Sequence, residues 1–136
     1  MSTGRILVLL EDGACREESV RYAFELAKRL HACVEVLILF SSRVPVDGTG
    51  DALGTSIEQV AAEEGICITT FVRRGDKASE LVKHMATHPP VDMMVWGGDE
   101  SALSAGRAQR SKHWLARVRK EIECPVLTAT KKTATT

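Results

Sequence analysis

The sequence predicts an α/β protein built on an open parallel sheet, and three observations carry that reading. Short apolar runs of strand length alternate with segments of helical period along the chain. The inner runs are continuously apolar, as strands covered on both faces are. Parallel strands need crossovers, which are right-handed and lay helices on both sides of the sheet.

The elements follow in order. Residues 5–10, RILVLL, read as the first strand. Residues 15–30 place Val20, Ala23, Phe24, Ala27 and Leu30 on one helical stripe. Glu17 and Glu18 stand in its first turn and Lys28 and Arg29 in its last, the charge order a helix dipole favours. CVEVLILF (33–40) is the second strand. SSRVPVDGTG is a loop by its Pro, Gly and Ser content, and Leu53, Ile57, Val60 and Ala61 mark a short helix that ends at Gly65. ICITTFVRR (66–74), more mixed, is a third strand fit for a sheet edge. Asp76 caps the next helix, whose stripe is Ala78, Leu81, Val82 and Met85 and which Pro89 and Pro90 end. VDMMVW (91–96) is the fourth strand. Trp114, Leu115, Val118 and Ile122 mark a last helix, and CPVLTAT (124–130) the fifth strand. Residues 1–130 make one domain and 131–136 a flexible tail, with no internal repeat.

Composition narrows the function. A chain of 136 residues, 44% apolar and 26% charged, fits one folded domain. Its 18 basic residues equal its 18 acidic ones, so no global field grips nucleic acid or an anionic membrane, and any anion site is local. The longest apolar runs, 6–10 and 36–40, fall far short of the roughly 20 residues that span a bilayer. MSTGR is followed by no secretion-type apolar region. The expected location is the cytoplasm, either as a free protein or as a cytoplasmic piece of a larger transporter or kinase. Cys15, Cys33, Cys67 and Cys124 lack the paired spacing of a zinc site and read as buried thiols, so no metal is expected.

Taken together, ILVLLEDG (6–13), SVRYAFELAKRLHACVEVLILF (19–40), RRGDKASELVKHM (73–85), VDMMVWGG (91–98) and ECPVLTA (123–129) resemble the universal stress protein family from Arg5 to Thr130. The resemblance implies a three-layer, Rossmann-like fold of the adenine nucleotide alpha hydrolase type, with five parallel strands in order 3-2-1-4-5. It also implies a homodimer, paired antiparallel through the edge strand Pro125–Thr130, with a further protein partner possible. In such a sheet the strand order reverses between the first and fourth strands, and open α/β sheets bind ligands in the crevice at that switch point. Cys33 and Cys67 would begin neighbouring strands, a position whose geometry rarely suits a bridge.

Nucleotide-binding members of that family carry Gly-x-x-Gly, nine residues, then Gly-Ser or Gly-Thr. Glycine lets backbone N–H groups approach phosphate closely, and the closing pair opens a helix whose N-terminus favours the anion. With Gly97 as the first glycine, the second position holds Glu100 and the closing pair is Arg110-Ser111. Aligned back from Cys124, the closing pair is Lys112-His113 instead. The loop is therefore degenerate. Arg107, Arg110, Lys112 and His113 crowd the start of the last helix, where cations oppose the dipole unless an anion is near. Three readings stay open: a solvated basic surface, an anion pocket rebuilt from side chains, or a partner contact.

The candidate nucleotide or anion contacts are Asp12, Gly13, Leu39, Gly97, Gly98, Arg110, Ser111 and His113. Either Glu11 or Asp12 matches the family's acidic contact to the nucleoside, and Asp12 reads equally as a helix N-cap. Leu39 falls near the base in the family but would be apolar in any core strand. Trp96 is expected to fill part of the pocket. His31, His84 and His88 read as solvated helix-end residues. The segment 41–65 is short against typical members and thins one wall of the crevice. Nothing fixes a second group opposite Glu11 and Asp12, so no catalysis is expected. The expectation is a non-catalytic stress-response regulator acting through dimerisation and partner contact, with weak or absent ATP binding and no obligatory cofactor. The alternative is an ATP or AMP sensor using the Arg/Lys/His cluster; a thiol redox role is a third.

Overall fold

A computed structural model of the protein describes residues 4–98, 114–118, 122 and 124–128. The elements are β1 (Arg5–Glu11), α1 (Glu17–Leu30), β2 (Cys33–Phe40), α2 (Thr49–Glu63), β3 (Ile68–Arg74), α3 (Lys77–Thr87), β4 (Met93–Trp96), α4 (Trp114–Val118) and β5 (Val126–Thr128). The five strands form one parallel sheet in the order β3-β2-β1-β4-β5. Both expected edge strands, β3 and β5, lie at edges.

The continuous apolar runs are explained by two cores, one on each face. Ile6, Val8, Leu10, Val34, Val36, Ile38 and Val95 pack under Val20, Ala23, Phe24 and Ala27 of α1 and Ile57 and Ala61 of α2. Leu7, Leu9, Leu37, Leu39, Met94 and Trp96 pack under Leu81 of α3 and Leu115 and Val118 of α4. Alternate residues of β1 thus enter opposite cores, and Ile6 to Leu10 are all wholly buried.

The boundaries shift where backbone hydrogen bonds decide them. α1 begins at Glu17, because residues 11–14 form a turn. β3 begins at Ile68 because Ile66 still belongs to the end of α2: its N–H donates to the Ala61 carbonyl and that of Gly65 to Ala62, with Gly65 at φ 72°. Those two bonds close the helix in the left-handed manner glycine permits. Asp76 caps α3 as expected, accepting from the Ser79 N–H at 3.0 Å. The expected continuation of the last helix through Ile122, residues Ala129 and Thr130 of the fifth strand, and the 131–136 tail lie outside the described elements.

Candidate functional site

The switch-point crevice opens beyond the ends of β1 and β4. Glu11 to Ala14 turn back tightly: Asp12 and Gly13 have φ of 52° and 80°, and the Ala14 N–H donates to the Glu11 carbonyl at 3.0 Å. A Cβ at Gly13 would lie 3.2 Å from Thr49 Cγ2, so glycine suits both the dihedral and the space. The Asp12 N–H donates to Leu39 O at 2.7 Å, which ties the turn to β2.

The β4 exit is equally tied. The Gly97 N–H donates to Leu9 O at 2.8 Å, and its carbonyl accepts from Arg16 N–H at 2.9 Å. A Cβ on Gly97 would collide with Leu10 Cδ2 and sit 3.3 Å from Leu9 O. Gly97 is therefore required by the β1–β4 approach itself. Its amide, the donor a phosphate loop would need first, already bonds within the sheet.

Lys77, at the start of α3, reaches the turn that follows β1. Its Nζ donates to Glu11 Oε1 at 2.9 Å and to Asp12 Oδ2 at 2.6 Å, with the lysine side chain only 12% exposed. Glu11 Oε1 also accepts from Trp114 Nε1 at 2.7 Å, joining β1 to α4. Burial works to lower the Lys77 pKa, but hydrogen bonds and charge from Asp12 and Glu11 outweigh it, and the pKa is raised. The ammonium thus stays charged and holds both carboxylates.

Sequence reasoning missed Lys77, although a signal was present. It is the first residue of α3, where a cation opposes the helix dipole by about 0.3–1 kcal/mol unless an anion compensates. Glu11 and Asp12 supply that anion across the crevice.

The expected site residues divide as follows. Asp12 is not the N-cap of α1: that position is Arg16, without a side-chain cap, while the Asp12 carboxylate accepts from Ser41 N–H at 3.3 Å and from Lys77. Asp12 and Gly13 follow β1, and Gly97 and Gly98 follow β4, its neighbour in the sheet. Leu39 is wholly buried in the α3–α4 core. Trp96 is likewise wholly buried there, edge-on to Trp114 with ring centroids 6.3 Å apart, so the indole fills core. A Cβ on Gly98 would come 2.9 Å from its Cζ2. Arg110, Ser111 and His113, with Glu100, Arg107 and Lys112, lie outside the described residues. The thiols are less hidden than expected, because three stand at element ends: Cys67 is exposed, and Cys15, Cys33 and Cys124 are half-buried.

His84 is a second correction. It is 2% exposed, because α3 turns it inward beside Leu81 against the only carboxylate of β2's apolar run, Glu35. His84 Nε2 lies 3.3 Å from Glu35 Oε1, and Arg5 donates to Glu35 Oε2 at 2.7 Å. The His84 ring stacks on His88 at 3.9 Å and meets the edge of Phe71 at 4.8 Å. Burial lowers the His84 pKa below its ordinary 6.5, the Glu35 contact opposing only in part. The unfolded chain therefore holds that proton more tightly than the folded one. Stability held above about pH 6.5 is lost as pH falls from there toward the lower folded value. Thermal melts between pH 7.5 and about 5 should show a falling Tm for the wild type and a shallower fall for His84→Gln.

Among the described residues no group of three or more His, Cys, Asp or Glu side chains could hold a metal ion, and no helix is long and apolar enough to cross a membrane. No protein-family model matches the chain, and no curated protein matches it. Solved structures do. A protein of the universal stress protein family from Burkholderia pseudomallei superposes with a TM-score of 0.62 at 18% identity, covering 92% of this chain and 94% of that one. A universal stress protein in complex with cAMP gives 0.60 at 14%, covering 91% and 96%. A universal stress protein family protein from Arabidopsis thaliana with AMP bound gives 0.61 at 15%, covering 96% and 94%. The chain has the fold of that family, a three-layer adenine nucleotide alpha hydrolase-like architecture.

Proposed function

We propose that the chain is a universal stress protein-like regulatory domain, without catalysis, which acts in the cytoplasm as a homodimer and through a protein partner. Its adenine-nucleotide binding is weak or absent. The observation that carries this reading is the Lys77–Glu11–Asp12 set, together with the Gly97 amide bonded to Leu9. An incoming nucleoside would have to displace Lys77 from both carboxylates, and a phosphate would find the first amide of the loop taken. The balance of 18 basic and 18 acidic residues supports a protein surface, not nucleic acid, as the partner. The outer edge of β5, which pairs with no further strand among the described residues, supports pairing with a second copy.

A second reading, an ATP or AMP sensor at the same crevice using Arg110 and His113, draws support from the fold relatives with cAMP and AMP bound. One preparation separates the two. Protein purified without added nucleotide is sized by light scattering, then denatured, and its supernatant is chromatographed at ultraviolet wavelengths. The expected result is twice the chain mass and no adenine nucleotide. Stoichiometric AMP or ATP in the supernatant overturns the first reading in favour of the second.

A further inference from the structure

At the opposite end of the sheet from the crevice, the register of β2 with β3 pairs Val34 with Ile68, so Cys33 and Cys67 stand side by side one step earlier. The Val34 N–H donates to the Cys67 carbonyl at 2.8 Å, which fixes that alignment. Paired positions on adjacent strands put their side chains on one side of the sheet, with strands about 4.8 Å apart. That spacing falls inside the Cα separation a disulfide accepts, roughly 4.4–6.8 Å.

Both cysteines open onto a concavity of about 430 Å³, walled by Ala27, Lys28, His31 and Ile66. Cys67 is exposed and Cys33 half-buried, so a small solute reaches one sulfur directly and the second lies behind it. The Cys33 thiol is hydrogen-bonded to Cys67, and that bond, with burial, raises its pKa. Cys67, the exposed one of the two, is the thiol that a solute in the concavity meets first.

We propose that Cys33 and Cys67 form an oxidative modification site for hydrogen peroxide, with Cys67 oxidised and Cys33 resolving. The Cys67 thiolate attacks the peroxide oxygen, the O–O bond breaks, and Cys67 becomes a sulfenic acid as hydroxide leaves. The Cys33 thiolate then attacks that sulfur, forming the S–S bond and expelling a second hydroxide. The two thiol protons and two hydroxides make two waters, so two thiols and one hydrogen peroxide give one disulfide and two waters, two electrons passing to oxygen. The bridge joins β2 to β3 and closes the loop that carries α2.

Hydrogen peroxide at low excess, followed by alkylation and peptide mapping of the full chain, tests this. The expected product is a Cys33–Cys67 cross-link, two hydrogens lighter, reversed by dithiothreitol, with Cys15 and Cys124 alkylated. Cys33→Ser should instead accumulate a sulfenic acid on Cys67 that a dimedone probe traps, and Cys67→Ser should trap at least several-fold less. The oxidised wild type should also melt higher than the reduced, and Cys33→Ser should show no such rise. Full alkylation of both cysteines after peroxide, or equal trapping in the two variants, overturns the proposal.

Discussion

Trp96→Ala is expected to cost about 3–5 kcal/mol of stability, the range for deleting a large buried aromatic. The indole is wholly buried at the end of β4, among Leu9, Leu39, Leu81 and Leu115, with Trp114 edge-on to it. Its removal leaves a cavity between the sheet and α3–α4 that flanking leucines cannot close without moving β4. It also releases the contact that seats Trp114, and Trp114 holds Glu11 from the other side. Chemical denaturation should show a lower midpoint with the slope retained, and thermal melts a Tm lower by on the order of 10 °C. A loss under about 1 kcal/mol would mean that the ring lies in the solvent-filled crevice and not in the core.

Gly97→Val should be the next most damaging change, at about 1–3 kcal/mol. The new side chain meets Leu10, itself wholly buried, and the carbonyl of Leu9. Neither can yield cheaply, because Leu10 is packed in the α1–α2 core and Leu9 O accepts the Gly97 N–H. Relief by moving residue 97 outward would break that bond and also the one from Arg16. The loss should be the same with and without nucleotide, measured by denaturation in the presence of AMP. A valine variant as stable as the wild type would show that the glycine serves the crevice alone.

The two predicted changes locate what the sequence makes readable. The continuous apolar runs of β1 and β2 permit one arrangement only, strands covered twice, and the helices between them dictate parallel pairing. Strand order came with the family resemblance, as did the position of the crevice. Other features needed the third dimension. Lys77 and Glu11 are 66 residues apart in sequence, and no local pattern joins them. Their meeting follows from β1 and β3–α3 ending at the same rim. Glu35 was more accessible to reasoning: a carboxylate within an apolar strand demands a partner, and His84 shares the inward stripe of Leu81. Reading His84 as solvated overlooked that demand. Gly97, matched by motif to a loop glycine, is also required by the packing of β4 against β1, which no motif reveals.

The closed crevice is tested most directly by calorimetric titration of AMP and ATP into the wild type and into Lys77→Met. With Lys77 held by Glu11 and Asp12 and the Gly97 amide bonded to Leu9, the wild type should give no saturable heat up to about millimolar nucleotide. A saturable isotherm for the wild type with a Kd near about one micromolar, unchanged in Lys77→Met, would contradict a crevice closed from within.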